Sequence, residues 1–447
     1  MKKSLVLAAL FLLQVLAPTI ASAQTNPPTN SGDWTIPAND VTYLNNSQAL
    51  IQGDINVYGT LIIQDSSVFL WGANNGDREI EVMNGGSLYI YDSIISSYSS
   101  VCIDFDVNVG SSFVTNNSRF DSICELLLNS KNVHLNNSYF GESSLKLILN
   151  EYDTQFDSVL GTNIYTANHT FSNLIFSNHS NTGDKLINIQ APTVLISSPL
   201  VWNNITMNFD SKNTYPIVDE SGWSYLDVEF NGLNISGDYT PVNTEDSKPM
   251  ITINGGHRNK TFRNFTFENT PNHLALRAPS GSTSANIILD NGTVRNLSAA
   301  EVSSSFTNYP IKALVDKSSS NSYLFYIYRN SVEIQNLEIT NNIHGSFTSS
   351  SSSNYASGQH ECTVLQLEYV ENVRMENLSI TDNCKFEFYS DYNSIARIYY
   401  DCQNINSHIT SETAYYKLRF YDSDCNYWKF SAIDVRHDWG YNSNTGS

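Results

Sequence analysis

The sequence predicts an all-β solenoid built from short strands, and three observations predict it. Alternating segments rich in Ile, Val, Phe and Tyr recur along the chain, separated by Asn, Ser, Gly and Asp, while long amphipathic helices are absent. The frame apolar-x-Asn-apolar-x-apolar-x-Asn/Asp returns at intervals of one structural repeat. The six cysteines, taken two at a time along the chain, are separated by intervals close to the length of one repeat.

The repeated frame is clearest in residues 261–269, 332–341 and 373–382. Residues 171–178 and 289–296 also fit it, the latter with Gly at one apolar position. Asn, Asp and Gly tolerate the left-handed conformation that a sharp turn between two strands requires. The frame therefore predicts that equivalent turn residues stack and hydrogen-bond in a ladder, formed by Asn173, Asn204, Asn264, Asn291, Asn336 and Asn377. Looser copies of the frame centre on Asp65, Asp92, Asn117, Asn137, Asp157, Asn204 and Gly232.

The spacing of the central residue indicates the architecture. Steps of 16 to 32 residues lead from Asp65 to Asn291, and the last two steps, of 45 and 41 residues, are each counted as two repeats. The 312 residues from Asp65 to Asn377 then contain 13 repeats of 24 residues. A unit of that size with two or three short strands is one coil of a parallel β-helix. A β-sandwich with Asn-rich turns is the alternative, but it does not explain a fixed frame over this length.

From Asp65 to Asn377 the sequence resembles the right-handed parallel β-helix repeat proteins, a broad group that includes pectate lyases, polygalacturonases and many surface adhesins. The resemblance is carried by the coil pattern. It implies a single right-handed parallel β-helix of roughly 24-residue coils, and it implies no activity, because one fold serves many functions.

The predicted domain organisation begins with a secretory signal peptide over residues 1–23. Lys2 and Lys3 are followed by an apolar core from Leu5 to Leu16 and by the small-x-small site Ala21-Ser22-Ala23. A membrane anchor is the alternative, but the apolar run is short for a span and no later segment spans a membrane. We expect a polar, Pro-rich segment or cap over 24–40, the β-helix over 41–438 with loop insertions near 297–325 and 343–360, and a polar tail over 439–447.

The cysteines predict sequential disulfides. Cys102 and Cys124 are 22 residues apart, Cys362 and Cys384 are 22 apart, and Cys402 and Cys425 are 23 apart, each close to one coil. Residues stacked on adjacent coils lie ~4.8 Å apart, within the Cα separation that a disulfide accepts. A metal site is the alternative, but no Cys-x-x-Cys or nearby His spacing supports it.

Twelve Asn-x-Ser/Thr sequons are present, and in a secreted chain they are candidate N-glycosylation sites. A ladder Asn generates the same motif whenever Ser or Thr follows two residues later. Asn204, Asn264, Asn291 and Asn377 are therefore predicted to be ladder residues, which a transferase cannot reach if they stack inside the turn. The favoured glycosylation sites lie off the ladder, at Asn168, Asn234 and Asn259.

No catalytic residue, cofactor or metal is predicted. The polygalacturonase motifs Asn-Thr-Asp, Asp-Asp and Arg-Ile-Lys are absent, and Gly255-Gly256-His257-Arg258 departs from the Gly-His-Gly pattern. Asp104 and Asp106 lie on one face of a predicted strand and could hold calcium, but a lone Asp-x-Asp is more often solvent-facing. A carbohydrate-active enzyme, a lyase or a glycoside hydrolase acting in a groove on the coils, remains the alternative function, because the active sites of such enzymes are assembled from distant coils.

The charge balance excludes nucleic acid as a partner. The chain carries 24 Lys and Arg against 44 Asp and Glu, which leaves a net charge of −22 after Lys2 and Lys3 are removed with the signal peptide. The sequence therefore predicts a secreted, cell-surface or extracellular-matrix structural or adhesive protein. Its expected partners are surface proteins, glycans or other copies of itself, joined end to end through strand edges left open at the solenoid ends. A cap formed by Pro27 to Pro37 and by the aromatic tail is the alternative.

Overall fold

The computed structural model describes residues 26–28, 32–149, 153–157, 162–166, 168–179, 185–190, 199–209, 215–219, 226–237, 251–253, 259–270, 274–277, 286–296, 325–328, 331–340, 345–349, 365–370, 373–381, 386–390, 405–411, 415–420 and 433–437. These residues form 36 β-strands and, within this part of the chain, no helix. The predicted signal peptide, the tail and four of the cysteines lie outside the described residues.

The first strands are β1 (Trp34–Ile36), β2 (Val41–Asn45), β3 (Gln48–Ile51), β4 (Ile55–Val57), β5 (Thr60–Gln64), β6 (Ser67–Leu70), β7 (Glu79–Val82), β8 (Ser87–Tyr91), β9 (Ile94–Ser97), β10 (Ile103–Val107), β11 (Ser112–Asn116), β12 (Arg119–Asp121), β13 (Ile123–Leu128), β14 (Asn132–Asn136), β15 (Tyr139–Gly141), β16 (Leu145–Ile148), β17 (Asp153–Asp157) and β18 (Thr162–Thr166). The later strands are β19 (Asn168–His179), β20 (Lys185–Gln190), β21 (Leu200–Phe209), β22 (Tyr215–Asp219), β23 (Val228–Ser236), β24 (Ile251–Ile253), β25 (Lys260–Glu268), β26 (Leu274–Arg277), β27 (Asn286–Arg295), β28 (Phe325–Tyr328), β29 (Ser331–Thr340), β30 (Gly345–Ser349), β31 (Leu365–Val370), β32 (Val373–Thr381), β33 (Phe386–Ser390), β34 (Ile405–Ser411), β35 (Tyr415–Phe420) and β36 (Ile433–His437).

The strands confirm the predicted parallel β-helix. A 14-stranded sheet, here the first face, starts with β1, β4, β7, β10 and β13, each paired in parallel with the next. An 18-stranded sheet holds the second face, which starts with β2, β5, β8, β11 and β14, and the third face, which starts with β3, β6, β9, β12 and β15. From β19 onward one long strand supplies both the second and the third face.

The coils are longer and fewer than the sequence predicts. Strand β27 pairs directly with β29, and β29 pairs with β32, so the steps from Asn291 to Asn336 and from Asn336 to Asn377 are one coil each. Asp157 is not a turn centre either, since β17 and β18 form an antiparallel hairpin inside one coil. The 312 residues from Asp65 to Asn377 therefore contain ten coils, about 31 residues each. The 24-residue average was wrong because insertions change coil length without changing the stacking.

The turn between the second and third faces has the predicted left-handed conformation. Asn173, Asn204, Asn264, Asn291, Asn336 and Asn377 all have φ between 51° and 54°. Asn46, Asp65, Asp92, Asn117 and Asn137 occupy the equivalent turn of the earlier coils with φ between 48° and 53°, and Gly232 does so with φ of 80°. A single turn residue per coil thus sets this corner along the twelve parallel coils that the described residues form.

The interior is apolar because strand residues alternate between the two sides of each face. Inward residues stack on their equivalents in the next coil, which places aromatic rings in rows. Phe120, Phe140 and Phe176 form one row, with centroids 5.1 and 5.0 Å apart. A second row is formed by Phe171, Trp202, Phe230 and Phe262. These rows make the core continuous from coil to coil.

Polar groups also enter the core at defined places. Ser66, Ser93, Ser118 and Ser138 directly follow the turn residues of four coils and are buried. The Ser93 hydroxyl accepts a bond from the Ser66 amide (3.0 Å) and donates to the Tyr91 carbonyl (2.6 Å), so each serine satisfies buried backbone groups at the corner. In later coils this position is apolar, as at Leu174 and Ile205.

A buried ion pair lies further along the core. The Lys260 Nζ donates to Asp219 Oδ2 at 3.0 Å and to the Leu226 carbonyl at 2.9 Å. Both side chains are almost completely buried, with exposed fractions of 1% and 3%. The pair joins the last inward position of β22 to the first inward position of β25.

Both ends of the β-helix differ from the prediction. Trp34 to Ile36 already pair in parallel with β4, so the first coil begins before residue 41. At the other end β34, β35 and β36 pair antiparallel with β32, β31 and β35, respectively. Parallel winding to residue 438 was therefore wrong, and the edges of β31 and β32 are covered by reversed strands. Within the predicted loop insertion at 343–360, β30 pairs in parallel with β33.

Candidate functional site

Two exposed aromatic side chains mark a corner of the second and third coils. Trp71 follows β6 and Tyr98 follows β9, and their amides bond to the carbonyls of Ile51 and Leu70 at 2.9 and 2.8 Å. The two residues therefore occupy equivalent positions on consecutive coils. Trp71 is 45% exposed and Tyr98 is 63% exposed. Large aromatic side chains with this exposure are available to a ligand.

Apolar neighbours extend this surface across the third face. Phe69 contacts Tyr98 edge-on, with ring centroids 6.3 Å apart. Leu50 and Ile94 lie outward on β3 and β9 and are 43% and 37% exposed. Leu50, Phe69, Trp71, Ile94 and Tyr98 are here called the aromatic corner. Apolar side chains clustered on a polar surface often mark an interaction site.

A row of carboxyl groups lies on the outer side of the first face, next to this corner. Asp104 is paired with Glu79 on one side and with Glu125 on the other, and Asp106 is paired with Glu81. These five residues, Glu79, Glu81, Asp104, Asp106 and Glu125, are here called the acidic face. The inward neighbours Phe105 and Val107 are fully buried, so alternation directs the carboxyl groups outward.

Three carboxyl groups of the acidic face, those of Glu79, Asp104 and Asp106, hold protons more tightly than fully solvated ones. Burial raises the pKa of Glu79 from 4.5 to about 7, with further contributions from the charges of Asp106 and Glu81 and from a hydrogen bond to Asp106. Burial also raises the pKa of Asp104 and of Asp106.

The corner loop 71–78 connects the aromatic corner to the acidic face. The Arg78 guanidinium donates to the Trp71 carbonyl (3.0 Å), and the Gly76 amide donates to the Cys102 carbonyl (3.0 Å). Gly76 has φ of 72°, and a Cβ atom there would lie 2.8 Å from Asp104 Oδ2. The loop thus lies against the carboxyl row and presents Trp71 at its start.

The disulfide Cys102–Cys124 fixes the next corner. Its Cα atoms are 5.0 Å apart and its cysteines are 22 residues apart, which agrees with the predicted pairing across one coil. The bridge joins the start of β10 to β13, the two strands that carry Asp104, Asp106 and Glu125. Cys362, Cys384, Cys402 and Cys425 lie outside the described residues, so their pairing stays a prediction.

The asparagine ladder is present, but it lies on the outside of the coils. Asn173, Asn204, Asn264, Asn291, Asn336 and Asn377 are all exposed. The Asn204 Nδ2 donates to Asn173 Oδ1 at 2.9 Å, and the same bond links Asn291 to Asn264 and Asn377 to Asn336. The ladder asparagines therefore do not stack inside the turn, the condition under which a transferase could not reach them, because the left-handed residue directs its side chain to solvent. The side-chain amides of the ladder are therefore exposed to solvent and engaged in hydrogen bonds with each other.

The structure places the three favoured glycosylation sites at the surface. Asn168, Asn234 and Asn259 are exposed, and none of them is a turn residue of the ladder. In two other sequons, at Asn116 and Asn136, the serine belongs to the buried corner row and donates to the carbonyl of its own sequon Asn (3.0 and 2.8 Å). Glycosylation itself stays a prediction.

The predicted Asp104 and Asp106 pair lies outward on one strand, as the alternation indicates. In the described ranges no group of three or more His, Cys, Asp or Glu side chains has the geometry to hold a metal ion. No helix long and apolar enough to cross a membrane occurs in that part of the chain either.

Sequence reasoning missed the aromatic corner, the serine row and the Lys260–Asp219 pair. The serine row had a readable signal, because Ser follows the turn residue at positions 47, 66, 93, 118 and 138. Trp71 and Tyr98 had no such signal. They are 27 residues apart, and because coil length varies along the chain, this separation does not identify them as equivalent positions. Glu79 and Asp106 are likewise 27 residues apart and meet only through coil stacking.

No protein-family model matches the chain, and no curated protein sequence matches it. Among solved structures, the chain is similar to the surface adhesin PfbA of Streptococcus pneumoniae, with 10% sequence identity, a TM-score of 0.35, and coverage of 90% of this chain and 92% of the adhesin. It is also similar to a mutant tailspike protein of the E. coli bacteriophage HK620 in complex with a pentasaccharide, with 11% identity, a TM-score of 0.31, and coverage of 78% and 74%.

Proposed function

We propose that this protein is an extracellular adhesive β-helix that binds a glycan at the aromatic corner. The observation that carries the proposal is the exposure of Trp71 and Tyr98 at equivalent positions of consecutive coils. One side of a sugar ring presents C–H groups that pack on an aromatic ring, and a row of rings one coil apart suits an extended chain. The neighbouring carboxyl groups can accept hydrogen bonds from sugar hydroxyls.

An extracellular location is supported by the disulfide Cys102–Cys124, because such bridges persist in oxidising compartments. The signal peptide over residues 1–23 stays part of this proposal. N-terminal sequencing of the exported protein tests it, and a mature chain that starts at Gln24 is the expected result.

Binding to a panel of neutral, acidic and cationic oligosaccharides tests the glycan-binding proposal. Trp71→Ala and Tyr98→Ala should each weaken binding of the preferred glycan by about tenfold or more, as is usual for a central aromatic contact. Tyr58→Ala is the matched control, because Tyr58 is 42% exposed on a different corner. Equal loss in all three variants, or no loss in the first two, would contradict the proposal.

A second candidate function is cleavage of a glycan on the acidic face. The observation in its favour is the pKa of about 7 for Glu79, which suits a general acid near neutral pH. Glu79→Gln should then abolish the release of new reducing ends while binding persists. Intact oligosaccharides after prolonged incubation with the native protein would exclude this function.

End-to-end association through the solenoid ends is retained as a separate proposal. At the C-terminal end, β34 and β35 cover β32 and β31, which argues against stacking directly on those strands. Sedimentation over a wide concentration range tests the proposal, and a strict monomer would exclude it.

A further inference from the structure

We propose that the glycan bound at the aromatic corner carries free amino groups, so that its sugar rings pack on Trp71 and Tyr98 while its ammonium groups lie against the acidic face. This inference rests on the glycan-binding function proposed above and names the class of glycan. The aromatic corner defines the site, and charge complementarity with the adjoining surface defines the ligand.

The acidic face holds more negative charge than its surroundings neutralise. Within the described part of the chain, the one ion-pair contact to its five carboxyl groups is that of Lys146, whose Nζ lies 3.6 Å from Glu125 Oε1. Asn108 donates a hydrogen bond to Glu81 at 2.8 Å, but an amide carries no charge. Burial raises the pKa of Glu79, and the negative charges of Asp106 and Glu81, which repel its ionised form, raise it further. A cationic ligand would relieve this repulsion, whereas a neutral one would not.

The two surfaces are close enough for one chain to contact both. Corner loop 71–78 begins at Trp71, and its Gly76 lies against the Asp104 carboxyl group. The Ser99 hydroxyl of the next corner loop donates to the Gly72 carbonyl at 2.9 Å, which holds the two loops together. An oligosaccharide that crosses this corner would contact the rings of Trp71 and Tyr98 at one end and Glu79, Asp104 and the neighbouring carboxyl groups at the other.

Other ligand classes fit this surface less well. A polymer of uronic acids would be repelled by the acidic face and by the net charge of −20. A basic peptide would match the charge, but it offers no repeated apolar ring face to two aromatic side chains at equivalent positions. A polymer of unacetylated hexosamine satisfies both requirements.

The test compares hexamers of glucosamine, N-acetylglucosamine and galacturonic acid, together with oligolysine, in titration calorimetry at a pH that keeps the glucosamine amines charged. We expect the glucosamine hexamer to bind about tenfold or more tightly than its acetylated form, and this preference to shrink as salt is added. The variant Glu81→Gln/Asp104→Asn/Glu125→Gln should lose the preference. The control variant Glu338→Gln/Glu376→Gln removes two carboxylates from β29 and β32, which lie on faces other than the acidic face, and it should keep the preference for the glucosamine hexamer.

The outcomes separate this inference from the function on which it rests. Equal binding of the two hexosamine hexamers, with loss of both in Trp71→Ala, would overturn the inference and leave glycan binding intact. Oligolysine binding as tightly as the glucosamine hexamer, with no effect of Trp71→Ala on either, would overturn the inference because charge alone would then account for binding. Failure of every glycan to bind would overturn the proposed function itself.

Discussion

Turn residues of this β-helix act in two ways, through their backbone conformation and through a directed chain of side-chain amides. Every ladder bond that joins equivalent turn residues runs from an Nδ2 atom to an acceptor in the preceding coil, as from Asn204 to Asn173. Gly232 interrupts the chain, and Asn264 instead donates to Asn231 at 2.7 Å. Near the N-terminal end the acceptor is a carboxylate, since Asn117 donates to Asp92 at 2.6 Å. The chain of hydrogen bonds ends at Asp92. The equivalent residue of the preceding coil is Asp65, and a carboxylate has no hydrogen to donate to it.

Replacing Asp92 with an asparagine should therefore stabilise the protein. The oxygen of the introduced amide would still accept from Asn117, and its nitrogen could donate to Asp65, which occupies the equivalent turn of the preceding coil. We expect the free energy of unfolding to rise by about 1 kcal/mol in chemical denaturation. The reciprocal variant Asn264→Asp removes the donor to Asn231 and should be destabilising. A loss of stability in Asp92→Asn would show that ladder continuity does not govern this corner.

His169 should make the protein acid-sensitive. Both of its ring nitrogens are buried without a hydrogen-bond partner, and burial, reinforced by the charge of His134, lowers its pKa from 6.5 to about 4. The unfolded chain therefore binds the proton more readily than the folded chain. Stability from this residue is complete above pH 6.5 and is lost as the pH falls from 6.5 towards 4, by about 3 kcal/mol in all.

Denaturation of His169→Phe across this pH range checks the prediction. Phe fills the same space beside Phe171 without a titrating group, so the acid-side loss should become much smaller. Glu79 acts in the opposite sense, because its raised pKa favours the folded state as the pH falls from 7 to 4.5. A Glu79→Gln background removes that opposing effect, and an unchanged acid-side slope in the double variant would refute the role of His169.

The core between neighbouring coils consists of stacked apolar side chains, and within the described residues it also contains the buried Lys260–Asp219 ion pair. Lys260 occupies the same inward column as Val228 and Ile287. A charge at such a position is tolerated because Asp219 and the Leu226 carbonyl both accept from its ammonium group. Removing one partner leaves the other charge buried without compensation.

Lys260→Ala should therefore destabilise the protein by about 3–5 kcal/mol. The double variant Lys260→Met/Asp219→Leu replaces the pair with apolar side chains and should recover most of that loss. Chemical denaturation of both variants measures the difference. A double variant as unstable as Lys260→Ala would mean that the pair does more than neutralise two buried charges.

At the scale of the whole molecule, parallel coils stack on one another and the last strands pair with them in the antiparallel direction. Parallel strands leave an open edge at the last coil, and here the antiparallel strands β34 and β35 occupy that edge. A chain truncated after residue 390 should expose the edges of β31 and β32 and self-associate. Sedimentation at increasing concentration should show larger species for the truncated chain and not for the full chain. A truncated chain that stays monomeric would show that these strands are not a cap.

Disulfides should also contribute to the stability of the whole molecule. The bridge Cys102–Cys124 closes one coil and should stabilise the protein by roughly 3 kcal/mol. Peptide mapping without reduction should show this pair together with Cys362–Cys384 and Cys402–Cys425. A cross-pairing between the first pair and the last four cysteines would contradict the assigned order of coils.

By itself the sequence determined what depends on short-range chemistry. Alternation placed Phe105 inside and Asp104 outside, the left-handed tolerance of Asn identified turns such as Asn264 and Asn377, and a one-coil separation paired Cys102 with Cys124. Only the tertiary structure decided the number of coils, the antiparallel end and the joining of Trp71 and Tyr98 to the acidic face. The physical reason is that coils pair at a constant distance in space but at a variable distance along the chain. Insertions such as the β17–β18 hairpin lengthen a coil at no cost to its stacking, so the residues that meet across coils cannot be read from a period.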